Sequence, residues 1–227
     1  MWVAGIDGCP RGWVGFRVDL ASLSTSVELV DFSSILRNKP DELAALTIDM
    51  PIGLLDGSRA CDKAARKLLG QPRGASVFAA PCRATLFAKN HAAASATSLR
   101  ITARGLSRQA WSLTPKIKQV DDAITTECQK WAFEVHPEVC FWALAGERPM
   151  TYRKKTKAGH NERRRLIRAV FPDIERHLQN RPVGVGQDDL LDAAVAAWTA
   201  VRIYKGEGQR VCEPERDANG LEAAIWY

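Results

Sequence analysis

The chain has no Cys-x-x-Cys pair. Its six cysteines (Cys9, Cys61, Cys82, Cys128, Cys140 and Cys212) are scattered, and its four histidines hold no finger-like spacing with them. That pattern argues against a zinc site. No charged leader with an apolar stretch behind it precedes the first strand-like segment. No apolar run approaches the length of a membrane span. Together these absences predict reduced, mostly buried thiols in a cytoplasmic protein with no membrane partner. Internal repeats and low-complexity tracts are missing. So are the full glycine spacings of dinucleotide-binding and P-loop turns, although glycines surround Asp7. What remains is a chain of 227 residues, 46% hydrophobic and 7% aromatic, which fits a single domain over residues 1–227 carrying an insertion. A net charge of +6 points modestly to an anionic partner.

The pattern along the chain is mixed. Trp2 to Ile6, Trp13 to Val18 and Val27 to Phe32 read as three strands, with Gly8, Pro10 and Gly12 marking the first turn. Their closeness suggests an antiparallel meander. Ser33 or Ser34 can cap a helix bearing Ile35, Leu36 and Leu43, interrupted by Pro40. Leu46 to Met50 follows as a fourth strand. A helix between strands three and four implies a parallel crossover. Arg59 to Leu69 is helical and stops at Gly70, residues 71–90 read as loop, and 91–130 look helical with a break at Pro115. Residues from about 54 to 128 are therefore expected to be a helical insertion over one end of the sheet. Trp131 to Val135 is a fifth strand, and Pro137 opens a helix through Leu144. The basic segment Tyr152 to Arg168 comes next, followed by an amphipathic helix over 187–204. Leu221 to Tyr227 closes the chain as an added strand or a docked helix.

Acids stand at unusual places in this pattern. Asp7 interrupts the apolar run VAGIDGCPRGWVGFRV, Asp49 ends the fourth strand, and Glu134 lies on the fifth. Asp188, Asp189 and Asp192 begin the last helix, at spacings that share a face. Helix capping would account for Asp188 or Asp189, a turn for Asp49, and an arginine partner for Glu134. Asp7 and Asp192 lie within apolar surroundings, where an unpaired carboxylate is costly. In open α/β sheets, sites form beyond the carboxyl ends of adjacent parallel strands. Asp7, Asp49 and Glu134 can meet there if strands one, four and five are neighbours, with Asp192 added from the helix. Such acids repel unless cations neutralise them. An all-oxygen donor set suits Mg²⁺ or Mn²⁺. Two such ions about 3.5–4 Å apart can drive phosphodiester hydrolysis.

The order β-β-β-α-β-α-β-α, with acids on the first strand, the fourth strand and the final helix, resembles the ribonuclease H-like fold. DDLLDAAVAAWTA resembles the Asp-Ala-rich helix of that fold's Holliday-junction resolvase branch. GIDGCPRGWV, IDMPIGLLDGSRACDKAARKLLG, SVFAAP, FEVHPEVCFWAL and QDDLLDAAVAAWTA together resemble a bacterial and archaeal domain-of-unknown-function family described as predicted ribonuclease H-like nucleases. The likeness spans nearly the whole chain. It implies an α/β fold: a ribonuclease H-like mixed five-stranded sheet flanked by helices, with a helical insertion. It also implies an acidic site of Asp7, Asp49, Glu134, Asp189 and Asp192, with Asp188 as a substitute for Asp189, and it marks Asp62 together with Arg59 and Arg66, which are expected on the substrate-binding side as phosphate contacts. The resolvases' substrate-binding surfaces are not recognisable here, so junction resolution is not implied.

Lys154, Lys155, Arg163 and Arg164 belong to a basic run that suits phosphate contacts or a solvated helix face. Arg73 and Ser76 offer a second anion contact or a structural turn. His136 reads as a cap of the Pro137 helix, or as a general base or metal neighbour. Trp13 and Trp111 are the tryptophans placed for base stacking. The leading expectation is a metal-dependent phosphodiesterase, a nuclease, acting on nucleic acid or another phosphate-containing ligand with Mg or Mn as cofactor. The alternatives are a phosphoryl-transfer enzyme of the related kinase/ATPase fold, and a non-catalytic nucleic-acid or nucleotide binder. Oligomeric state is not legible.

Overall fold

A computed structural model describes residues 1–227. Strands β1 (Trp2–Cys9) and β2 (Gly12–Asp19) form a hairpin closed by a two-residue turn, with Cys9 opposite Gly12. Gly12 takes φ 121°, a conformation open to glycine alone at little cost. β3 (Thr25–Val30) pairs antiparallel with β2. Helix α1 is short, Phe32–Arg37, and Asp31 caps it by accepting from Ser34 N at 3.1 Å. The serines expected to cap it lie inside the first turn. Leu43, expected on this helix, instead opens β4 (Leu43–Ile48), because Pro40 separates the two elements.

β4 runs parallel to β1, and β5 (Ala132–Glu134) runs parallel to β4. The sheet order is β3-β2-β1-β4-β5, so strands one, four and five are indeed neighbours. This mixed sheet with helices on both sides is the α/β arrangement expected of a ribonuclease H-like fold.

Side-chain alternation sorts the two faces. Val3, Ala45 and Val135 pack beneath α8 (Gln187–Tyr204), together with α5 (Pro137–Leu144), α6 (Lys157–Val170) and α7 (Ile174–Gln179). Ala4, Ile6, Leu46, Ile48 and Ala132 face the other way, onto α1 and the α4 helix (Arg108–Asp121). The remaining helices, α2 (Ala60–Leu69) and α3 (His91–Thr102), lie with α4 in the segment expected as an insertion. Ile117, Val120 and Ile124 of that segment form part of the second core.

Pro115 does not break α4. Its missing N–H would leave the Trp111 carbonyl unpaired, and the Thr114 hydroxyl donates to that carbonyl at 2.7 Å. The closing segment is strand-like. β7 (Glu222–Ala223) pairs with β6 (Glu215–Arg216), and Trp226 bridges in parallel to Val135 beside β5. No helix is long and apolar enough to cross a membrane, and all six cysteines are free.

Candidate metal centre and its cleft

Asp7 lies on the α8 face of β1, in the same parity as Val3 and Gly5. Past the end of β4, Asp49 N donates to Ile6 O at 3.0 Å, so the parallel ladder continues one step and sets Asp49 beside Asp7. From the other side, α8 comes unusually close. A Cβ on Gly5 would stand 2.1 Å from Ala197 N and 2.3 Å from Ala193 O. The Thr47 hydroxyl donates to Ala196 O at 2.7 Å. Small residues along α8 permit this approach, and Asp192, one turn before Ala196, is carried to the end of β1. The three carboxylates converge, with ligand oxygens all within 4.8 Å of one another.

Asp192 is 1% exposed, and Asp7 is buried with it. Lys154, from the loop before α6, donates to Asp192 Oδ2 at 2.8 Å. Asp192 Oδ1 is buried with no hydrogen-bond partner. Burial, then the charges of Asp49 and Asp192, raises the Asp7 carboxyl well above its usual range. Burial followed by Asp192 pushes Asp49 up to about 8. Burial also raises Asp192 itself, with Lys154 opposing. The paired ammonium of Lys154 is held charged, chiefly by Asp192. One lysine thus faces three acids. An all-oxygen, partly unsatisfied donor set of this kind fits a hard divalent cation; the group could hold one.

The other expected acids are placed differently. Glu134 pairs in register with Ile48, whose neighbour across β1 is Ile6, so it points away from the α8 face. It is buried against Arg59, which is itself 1% exposed and bonds both Glu134 oxygens, Asp62 and the Ile52 carbonyl. Ile52 N also donates to Glu134 Oε2 at 2.7 Å. Strand parity therefore keeps Glu134 out of the three-acid group, and Arg59 serves as its counter-ion. Asp189 Oδ2 accepts from Gly186 N at 2.9 Å at the start of α8. Asp188 and Asp189 both line the cleft above the group.

That cleft has a volume of about 870 Å³. Of the expected phosphate contacts, Arg59, Arg73, Ser76, Lys154 and Lys155 line it. Arg73 Nε is buried without a partner, and Ser76 Oγ donates to Arg73 O at 2.7 Å. Three other expected contacts are engaged elsewhere. Arg66 Nε bonds the Val77 carbonyl at 2.7 Å. Arg163 is 2% exposed, held by Glu138, Tyr152 O and Gly159 O. Arg164 pairs with Glu175. Arg163 and Arg164 follow the apolar face and the flank of α6, which turns them from the cleft.

His136 is the residue before α5, yet its side chain makes no capping bond. It lines the cleft instead, kept neutral with its pKa pushed down to about 4, mainly by burial. Trp13 is buried against Phe32 and offers no stacking surface. Sequence reasoning missed one wall of the cleft altogether. Gln109, Ser112 and Lys116 project into it from α4, with Lys116 Nζ 4.5 Å above the Trp13 ring. Their spacing does mark one helix face, but nothing in it says which sheet end that face overhangs.

A family model described as "Protein of unknown function (DUF429)" matches residues 5–217, and the chain belongs to that family. Comparison with curated proteins and with solved structures returns no match.

Proposed function

We propose that this DUF429-family chain is a metal-dependent phosphodiester hydrolase acting on nucleic acid, with Mg²⁺ or Mn²⁺ held by Asp7, Asp49 and Asp192. The observation that carries the reading is Asp192 Oδ1, a carboxylate oxygen buried without a partner beside two further acids. Such an atom costs free energy that a bound cation would recover. A divalent ion there supplies Lewis acidity and a more acidic water.

The chain's own residues supply the rest. Lys154 balances the acids, and Arg73, Ser76 and Lys116 line the same cleft, where their donors would turn to a bound phosphate, Lys116 from the Gly12 carbonyl it now holds and Ser76 from Arg73 O. Contacts of this type position a strand without reading its sequence. Arg59 fixes Glu134 and the loop after β4, which holds Asp49 in place. His136, being neutral, adds no charge to the cleft.

The test is cleavage of labelled single-stranded DNA and RNA in millimolar Mn²⁺ and in EDTA. Cleavage with metal, none in EDTA, and none by Asp7→Asn is the expected result. A protein that neither cuts any substrate nor gains thermal stability from Mg²⁺ or Mn²⁺ refutes the proposal. One observation favours a second reading, a non-catalytic binder: Arg59 occupies Glu134, leaving three converging acids rather than four. Nucleic-acid binding that survives chelation, with no cleavage, selects that reading.

A further inference from the structure

Two carboxylate oxygens are buried with no hydrogen-bond partner. One is Asp192 Oδ1; the other is Glu138 Oε2. Glu138 is the second residue of α5, lines the same cleft as Asp7 and Asp49, and is 5% exposed. Building on the metal centre of the hydrolase reading, we infer that Glu138 is the fourth acid of that centre. Its free Oε2 accepts a hydrogen bond from a water on the cation held by Asp7, Asp49 and Asp192, and Arg163 positions it to do so.

The arginine is the first support. An arginine fork commonly takes both oxygens of a carboxylate. Here Nε and Nη2 of Arg163 both donate to Glu138 Oε1, Nε at 3.0 Å. Arg163 is 2% exposed, and its Nη1 donates to Tyr152 O at 3.2 Å and to Gly159 O at 3.0 Å. Those two carbonyls fix the guanidinium, so it cannot turn to share Oε2 without breaking bonds. The carboxylate of this ion pair only accepts, and a buried acceptor without a donor is costly. A water on the cation supplies the donor.

Placement is the second. Through Tyr152 O, Arg163 also braces the loop that brings Lys154 to Asp192 Oδ2. Glu138 and Asp192 therefore share one frame. They are near enough that the charge of Glu138 helps to raise the Asp192 carboxyl, behind burial and against Lys154. Glu138 lies outside the three acids whose oxygens fall within 4.8 Å of one another, so it serves the ion through a water and not as a direct ligand. Outer carboxylates of this kind orient what the metal holds. In a hydrolase, that hydrogen bond sets the direction from which the water attacks.

The experiment is calorimetric titration of the metal-free protein with Mn²⁺, for the parent, Glu138→Gln and Glu138→Asp, with thermal melts in EDTA to establish that each is folded. Glu138→Gln removes the charge and sets an amide donor beside the water. Glu138→Asp keeps a charge for Arg163 but draws the free oxygen back by about 1.5 Å, one carbon–carbon bond. Both should weaken Mn²⁺ binding by about 10–100-fold. Should Glu138→Gln fail to fold because Arg163 is left unpaired, Glu138→Asp alone decides. Parent-like Mn²⁺ affinity in Glu138→Asp overturns the inference, since charge alone then suffices. So does parent-like affinity in both variants with a lowered Tm, the mark of a role confined to holding Arg163. Cleavage of labelled single-stranded DNA and RNA by the same preparations separates the two readings. If Mn²⁺ binding weakens as expected and the parent cuts nothing, the hydrolase reading falls and the role of Glu138 stands. If the parent cuts and Glu138→Asp binds Mn²⁺ unchanged, the role of Glu138 falls and the hydrolase reading stands. A parent that binds no Mn²⁺ removes both.

Discussion

In the metal-free protein, stability should fall as pH rises from about 6.5 to about 8, and Asp49→Asn should flatten that fall. The folded Asp49 carboxyl is pushed up to about 8 by burial and then by Asp192. In the unfolded chain it titrates near about 3.9. Between those values the folded protein keeps a proton that the unfolded chain has released. Linkage converts the difference into a loss of about 1.4 kcal/mol per pH unit. The contribution is fully present below the unfolded pKa and gone once pH passes the folded one. Asp7, raised by burial, Asp49 and Asp192, adds to the same slope. His136, pushed down to about 4, gives an opposite slope, confined to pH values below its usual pKa of about 6.5. That sets the lower limit of the window. Across it the loss is about 2 kcal/mol, which for a chain of this size lowers Tm by roughly 4–8 °C. Mg²⁺ at about a hundredfold over its Kd should restore about 2.7 kcal/mol, and more at the alkaline end, where no proton competes. Thermal melts followed by circular dichroism, in EDTA and in Mg²⁺, measure all of this. A Tm in EDTA that is level or rising across the window, or an Asp49→Asn slope equal to the parent's, refutes the reasoning.

Asp192→Asn should abolish metal-dependent cleavage and most of the metal-induced rise in Tm. Its metal-free stability at pH 7 should drop by about 1 kcal/mol as the partly exposed Lys154 pair is lost; intact cleavage would remove Asp192 from the site. Arg59→Ala should cost about 3–5 kcal/mol in urea unfolding, because it strands Glu134 and Asp62 as buried, unpaired acids; a loss below about 1 kcal/mol would mean that both acids are relieved without it. Gly5→Ala places a methyl against backbone atoms of α8, so it should cost at least about 1–3 kcal/mol and shrink the metal-induced Tm shift. Parent-like melts with and without metal would show that α8 is free to retreat.

Much of this architecture is legible in the sequence because it rests on patterns of short range. The α8 helix shows its apolar spacing, and β1 and β2 their apolar runs around glycine and proline. Asp7 and Asp192 stand out as acids in apolar settings and Asp49 as the acid that ends its strand, and the structure places the three together. Glu134 does not join them, for a reason the strand itself carries. Phe133 and Val135 face α8, so alternation turns Glu134 to the opposite side. Arg163 reads as one more cation of a basic run, since nothing local marks Glu138 as its buried partner. The α4 wall and the neutral His136 depend on contacts between distant segments, which no window of sequence contains.

The carboxylates that converge come from opposite ends of the chain. Asp7 lies on the first strand, and Asp192 on the last helix. During synthesis at about 5–20 residues per second, roughly ten to forty seconds separate their emergence. For that interval the sheet has one bare face, and the acids of β1 and β4 have no third member. Whatever chemistry the assembled group performs, an unfinished chain lacks it. The three-acid group exists only once α8 has docked over Gly5, so a metal held there would also report that the last helix is in place.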